Sequence, residues 1–341
     1  MRAELQLLKA MTDIDDKYLA ELETDNRKSV KKTRISKPAR WLLVAIIVLC
    51  ISTAAYAAIQ WNPVFMEWFK PTDAIIEQTA SGVQNVDVIS QCGDYTLRVD
   101  QTIGDENTLY LNLEISLPEG VAWRDVLPED VWKMKEEVSL TPNFEFYRGE
   151  LLYEDINGLS KEEFKDFTKG RNFSTASSGV TYDNLQVDSN SMSYMIRHSA
   201  DDLTAEPISL VINQFDEGME PIVMDGFPLV ISWTPENSGK QYLFEFEDGE
   251  TRGELQLSAF RLHIKMYRYP KVELYEKGYE FAKDIVLHMK DRSRIPVSKL
   301  SNGSGGSLSR YYIDYSYHFR SILNLDEVEA IQINDYRFEL E

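Results

Sequence analysis

Cysteine is scarce in this sequence, which holds only two in 341 residues. Cys50 lies inside an apolar run and Cys92 beyond it. A bridge between them would need Cα atoms within about 7 Å, which that layout disfavours. A disulfide framework is therefore excluded as the source of stability. A chain of this size can do without one, because a large core lowers the need for disulfides. Histidine is nearly as sparse. His198, His263, His288 and His318 include no two at metal-ligand spacing, so local sequence offers no zinc site. His263 and His318 alternate with apolar neighbours and are expected on solvated strand faces.

Catalytic signatures are missing as well. There is no glycine-rich phosphate loop, no HExxH and no GxSxG elbow. A calcium loop counted from Tyr153 places Tyr153 and Phe164 where carboxylate oxygen is required. Ser29 and Lys32 have the spacing of penicillin-interacting enzymes, but no companion motif. Acids are plentiful, yet nothing nominates a glycosidase pair. The chain is expected to be no enzyme and to use no cofactor or metal.

The net charge of −20 is unevenly spread. Residues 1–40 carry ten bases and seven acids, residues 41–59 carry neither, and residues 60–341 carry 26 bases and 49 acids. A region that acidic repels nucleic acid, so no nucleic-acid partner is expected. The uncharged run WLLVAIIVLCISTAAYAAI is 19 residues long, close to the roughly 20 that a helix needs to cross a bilayer core of about 30 Å. Trp41 stands at one end, and Tyr56 and Trp61 at the other, where amphipathic rings suit the headgroups. Before the run come Arg27, Lys28, Lys31, Lys32, Arg34, Lys37 and Arg40, with no acid between residues 27 and 40. Residues 60–80 hold one base, Lys70. This asymmetry places the N-terminus in the cytoplasm and the large C-terminal region outside the cell membrane. Ala55-Tyr56-Ala57 has the small-x-small form of a signal-peptidase site. The apolar run is longer than a signal core, however, and 40 residues precede it, which favours an uncleaved single-pass anchor in contact with the lipid bilayer.

In the tail, Leu7, Met11, Ile14, Tyr18 and Leu22 recur at spacings of 4, 3, 4 and 4, one stripe of a helix. So short a segment cannot bury that stripe against itself, and its acids disfavour an anionic membrane surface. Two readings stay open: docking in the groove of a partner protein, or a frayed helix of no consequence.

Beyond the anchor, residues 63–80 read as a short helical connector interrupted by Pro71. Tyr95–Leu117 alternates apolar and polar residues on either side of Gly104–Asn107, the pattern of a hairpin. Pro128–Val138 is expected as a helix. Leu159–Phe167 is another, with Ser160 as N-cap and Glu163 three residues on. Further strands are expected near 180–187, 193–198, 207–213 and 227–234. Pro235–Gly239 has turn chemistry and reads as a seam. After it come strands at Leu243–Phe246 and Leu255–Tyr269, the second with a phase slip expected to be a β-bulge. Strands at Ile285–Lys290, Tyr311–Phe319 and Glu329–Ile333 follow, with Ser301–Ser307 as a flexible loop. The fold class is thus mainly β. One transmembrane helix precedes an exported region of antiparallel β-sandwich-like modules with a few short helices. The expected division is a tail at 1–40, an anchor at 41–59, a connector at 60–81 and β-rich domains at 82–236 and 237–341.

Four stretches carry a family resemblance: Met11-Thr-Asp-Ile-Asp-Asp-Lys-Tyr-Leu19, the basic run and anchor ending Ala54-Ala-Tyr-Ala57, the strand pair Tyr95–Leu117, and Leu325-Asp-Glu-Val-Glu-Ala-Ile-Gln-Ile333. In these the sequence resembles the DUF4179 family of Gram-positive bacterial membrane proteins. These often accompany extracytoplasmic-function sigma factors and are treated as anti-sigma-like. The resemblance implies no enzyme activity and supplies no catalytic residues. It implies a regulator whose outer sheets sense an envelope condition and whose inner stripe, Leu7, Met11, Ile14, Tyr18 and Leu22, holds a sigma factor. The alternative is a passive surface module that binds wall polymer or protein, with a tail that only sets topology.

Overall fold

A computed structural model describes residues 61–341, apart from 134–136, 174–175, 183–184, 218–219, 223, 269–277, 310–311 and 341. The expected anchor at 41–59 and the cytoplasmic tail lie outside the described residues. Among those that are described, no helix is long and apolar enough to cross a membrane.

The described chain is mainly β, and every strand pairing is antiparallel. It opens with two short helices, Pro63–Phe69 and Asp73–Gln78. Asn62 caps the first, its side chain accepting from the Val64 amide at 2.8 Å. Pro71 keeps the two apart, as the sequence predicts.

The first sheet has the order β1 (Val83–Cys92), β2 (Tyr95–Asp105), β3 (Thr108–Ser116), β8 (Ser191–Ala200) and β6 (Ala176–Tyr182). In the second, β9 (Ile208–Glu217) pairs with β5 (Leu140–Arg148), β11 (Leu229–Trp233) and β10 (Glu220–Ile222). A two-stranded ladder joins β4 (Glu137–Val138) to β7 (Leu185–Gln186). Leu97, Leu113 and Ile115 of the first sheet share a core with Leu210, Ile212 and Phe215 of the second, around the fully buried Trp123. The expected hairpin is β2–β3, and its apolar face is the one in this core.

The third sheet has the order β12 (Gln241–Asp248), β13 (Thr251–Ser258), β14 (Arg261–Tyr267), β18 (Tyr312–Phe319) and β17 (Ser301–Ser309). The fourth has the order β16 (Arg294–Pro296), β15 (Ile285–Met289), β19 (Val328–Ile333) and β20 (Tyr336–Glu339). Leu255, Leu262, Ile264, Ile313 and Tyr317 share a second core with Ile285, Leu287 and Ile331. This core also takes in Trp61, Phe65 and Ile76 from the opening helices and Ile103, Tyr110 and Met195 from the first sheet. The far ends of β2 and β3 are therefore buried on both faces, and the in–out alternation fails there.

Three local expectations are overturned. Leu255–Tyr269 is not one bulged strand. β13 ends at Ser258, whose Oγ accepts from the Phe260 and Arg261 amides at 3.2 Å each and turns the chain into β14. The slip in alternation is this serine-capped reversal. Ser301–Ser307 is not a loop but most of β17, paired with β18 from Gly303 to Ser309. A Cβ on Gly306 would stand 2.0 Å from the Asp314 carbonyl oxygen, so glycine is what lets the two backbones approach. Pro128–Val138 is broken into a helical turn at Glu129–Trp132 and the strand β4. The helix at Lys161–Phe167 forms as expected, with reciprocal capping between Ser160 and Glu163.

Candidate functional site

β12, β13, β14 and β18 of the third sheet send alternate side chains into the second core, so the others lie on its opposite face. On that face Arg261, His263, Lys265 and Tyr267 of β14 lie beside Gln256, Glu254 and Arg252 of β13, and beside His318, Ser316, Asp314 and Tyr312 of β18. The cross-strand rows read Gln256–His263–Ser316, Glu254–Lys265–Asp314 and Arg252–Tyr267–Tyr312.

Two of these residues converge on Asp314. His263 Nε2 lies 2.9 Å from Asp314 Oδ1, and the Tyr312 hydroxyl donates to Asp314 Oδ2 at 2.8 Å. The hydrogen bond from His263, more than any other contact, holds the Asp314 carboxyl below its ordinary value. Burial and the bond to that carboxylate hold the Tyr312 phenol well above its own. Lys265 Nζ lies 3.4 Å from Glu254 Oε1. The Tyr267 ring packs 5.0 Å from Tyr312 and under the Arg252 guanidinium, yet remains 42% exposed. An open groove of about 450 Å³ runs past it, lined by Glu245, Phe246, Glu247, Arg252, Gly253, Glu254 and Tyr267. The arrangement offers an aromatic surface among fixed hydrogen-bond donors and acceptors. No group of three acids, histidines or cysteines among the described residues could hold a metal ion.

Toward its other end the same face becomes buried and meets the first sheet. Arg261 Nη2 donates to Gln256 Oε1 at 3.0 Å, Gln256 Nε2 to Gln241 Oε1 at 2.7 Å, and Gln241 Nε2 to Glu106 Oε2 at 3.0 Å. Asp105, fully buried, accepts from the Asn107 and Thr108 amides at 2.8 Å each. Burial pushes its carboxyl up, while the Arg261 charge and these bonds pull it down. Burial likewise works against the Arg261 charge, which Asp105, Asp201 and Asp314 support. His318 sits in this seam and is pushed down to about 3 by burial, then by the charges of Arg197, Arg261 and His263. His318 is thus buried, against expectation, and His263 is largely covered. The first sheet covers what the sequence suggests is a solvated face.

Three glycines close the seam. A Cβ on Gly82 or Gly239 would stand 2.3 or 2.5 Å from the Gly104 carbonyl oxygen, and a Cβ on Gly104 only 1.9 Å from that of Thr108. Pro235–Gly239 is no free turn: the Asn237 side chain donates to the Gly82 carbonyl at 2.7 Å and accepts from Thr102 Oγ1 at 3.2 Å. Gly104→Ala is expected to cost about 1–3 kcal/mol, because only backbone movement can relieve the clash. A shift in the urea midpoint measures it, and an unchanged midpoint would show that the seam has room to spare.

The stripe Leu7, Met11, Ile14, Tyr18 and Leu22 and the topology residues Arg27, Lys28, Lys31, Lys32, Arg34, Lys37, Arg40 and Trp41 lie outside the described residues. The Tyr312–Asp314–His263 string and the Asp105–Arg261 seam are absent from the sequence reading. The single signal for them is the alternation around His263 and His318.

No family model matches the sequence. No curated protein matches it either. Among solved structures, the crystal structure of the conserved domain protein from Bacillus anthracis matches with a TM-score of 0.42 and 9% identity, over 80% of this chain and 83% of that chain. At those values the likeness assigns no function.

Proposed function

We propose that this is a single-pass membrane protein whose β-rich region lies outside the cytoplasm as a sensing or binding domain, with an anti-sigma-like tail inside. The observation that carries the reading is the uncharged run 41–59, with seven bases and no acid on its N-terminal flank and a strongly acidic region after it. The resemblance to the DUF4179 family supports the regulatory part. The extracytoplasmic ligand engages the outer face of β13, β14 and β18, where Tyr267 offers a ring for stacking among Arg252, Glu254, Lys265 and Asp314. A hydroxyl-rich wall polymer suits that chemistry. Inside, Leu7, Met11, Ile14, Tyr18 and Leu22 hold the sigma factor in helix-in-groove fashion.

Pull-down with the full chain should recover a sigma factor, and Met11→Asp combined with Tyr18→Asp should abolish the recovery. Each change sets a charge in an apolar groove. Retention by the double variant would rule out the stripe. If removing residues 1–26 also leaves transcription unchanged, the protein is a passive surface module. Protease added to intact cells should digest the C-terminal region, and protection of that region would overturn the topology.

A further inference from the structure

The first described helix is held on one side and bare on the other. Phe65 is fully buried, and Trp61 stacks edge-on against Phe65 and Phe69 at 6.5 and 6.2 Å. Phe69 meets Tyr110 at 5.1 Å, and Tyr110 meets Phe260 at 5.7 Å. The Asn62 amide donates to Gln101 Oε1 at 2.6 Å. The helix is therefore part of the folded region from its first residue. Val64 and Trp68, one helical turn apart, lie on the outer side, 37% and 45% exposed.

The uncharged run ends at Ile59, two residues before the buried Trp61. Two residues of chain span at most about 7 Å, and a seven-residue helix is about 10 Å long. A chain that leaves the bilayer at Ile59 thus has no length for a stalk. We propose that Val64 and Trp68 dock on the outer surface of the bilayer, with the Trp68 ring at the headgroup level, so that the exported region rests on the membrane in one orientation. This rests on the single-pass reading given above. The occupant is lipid, because lipid is the one surface that the covalent connection at Ile59 brings within reach of both side chains. Indole suits the interface, with an apolar body and a polar N–H. Two side chains suffice because the anchor supplies a high effective concentration. The neighbouring Glu67 and Lys70 are exposed and able to face water.

The full chain, reconstituted in phosphatidylcholine vesicles with or without bromine on the acyl chains near the headgroup, tests this. Bromolipid should quench part of the tryptophan emission. Trp68→Phe should remove a share of that quenching, whereas Trp132→Phe, which alters a side chain of the first core, should leave it unchanged. If the chain floats with the vesicles and Trp68→Phe leaves the quenched emission unaltered, docking is refuted and the anchor stands. If the chain does not float with the vesicles, both the anchor and the docking fall.

Discussion

Lowering the pH from 7.5 to 5 should cost the folded region about 4 kcal/mol through two histidines. His198 is almost fully buried, stacked on Phe146 at 4.0 Å, with Nδ1 2.8 Å from Ser178 Oγ. Burial pushes it from 6.5 down to about 3. His318 is pushed to about 3 by burial and by Arg197, Arg261 and His263. In the unfolded chain both take up a proton near pH 6.5, whereas the folded chain holds them neutral. The stability they contribute is complete above pH 6.5 and is lost as pH falls toward 3. Integrated from 7.5 to 5, each histidine accounts for about 2 kcal/mol. Urea unfolding of the full chain at the two pH values, followed by tryptophan fluorescence, gives the loss. The many carboxylates titrate too, so the decisive figure is the difference between the wild type and a His198→Gln, His318→Gln double variant. That variant should lose less on acidification, whatever its stability at pH 7.5. Equal losses would show that neither ring is held neutral.

Arg261→Met should destabilise the protein by about 1–3 kcal/mol at pH 7, because it strips the Gln256 side chain of a hydrogen bond in the buried seam and removes the charge that lowers the Asp105 carboxyl. Arg261 is 4% exposed, and its charge lowers the Asp105 carboxyl. Methionine keeps the aliphatic bulk and removes the charge. The deficit should shrink on acidification, opposite in sign to the histidine effect. Burial already pushes the Asp105 carboxyl up, and losing the guanidinium removes the first of the influences that hold it down. The variant's folded state then keeps a proton that its unfolded chain releases. Stability from this group is full below the ordinary carboxylate range and is lost as pH rises through the folded value. Unfolding at pH 7 and pH 5, read as the difference from wild type, measures it. A deficit equal at both values would mean that Asp105 does not depend on Arg261.

What the sequence discloses about this fold is local. The β2–β3 hairpin shows because Leu97, Val99, Leu113 and Ile115 alternate in a half-buried ladder. The cap at Ser160 shows because its partner Glu163 is three residues away. β17 is hidden because Ser301–Ser309 has almost no side-chain pattern. Its strand character comes from β18, and its Gly306 serves a backbone contact. The reversal after Ser258 is hidden because a serine hydroxyl does there what Gly or Pro announces elsewhere. The candidate site inherits both blind spots. His263 and Asp314 are 51 residues apart, and their meeting depends on β14 and β18 being neighbours. The seam is less legible still. Asp105 and Arg261 read as ordinary solvated charges until the two sheets are brought together. The tail stripe is the reverse case, a clear period on residues that the described structure does not include.

Gln78 has a consequence for how the protein bears mechanical load. Its side-chain amide donates to the Leu323 carbonyl at 3.1 Å and accepts from the Leu325 amide at 2.7 Å. The helix next to the chain's entry point is thereby fastened to a segment some 245 residues further on. Tension arriving at Trp61 meets the first sheet at Gln101 and Tyr110, and through Gln78 it also meets the segment that leads into the last strands.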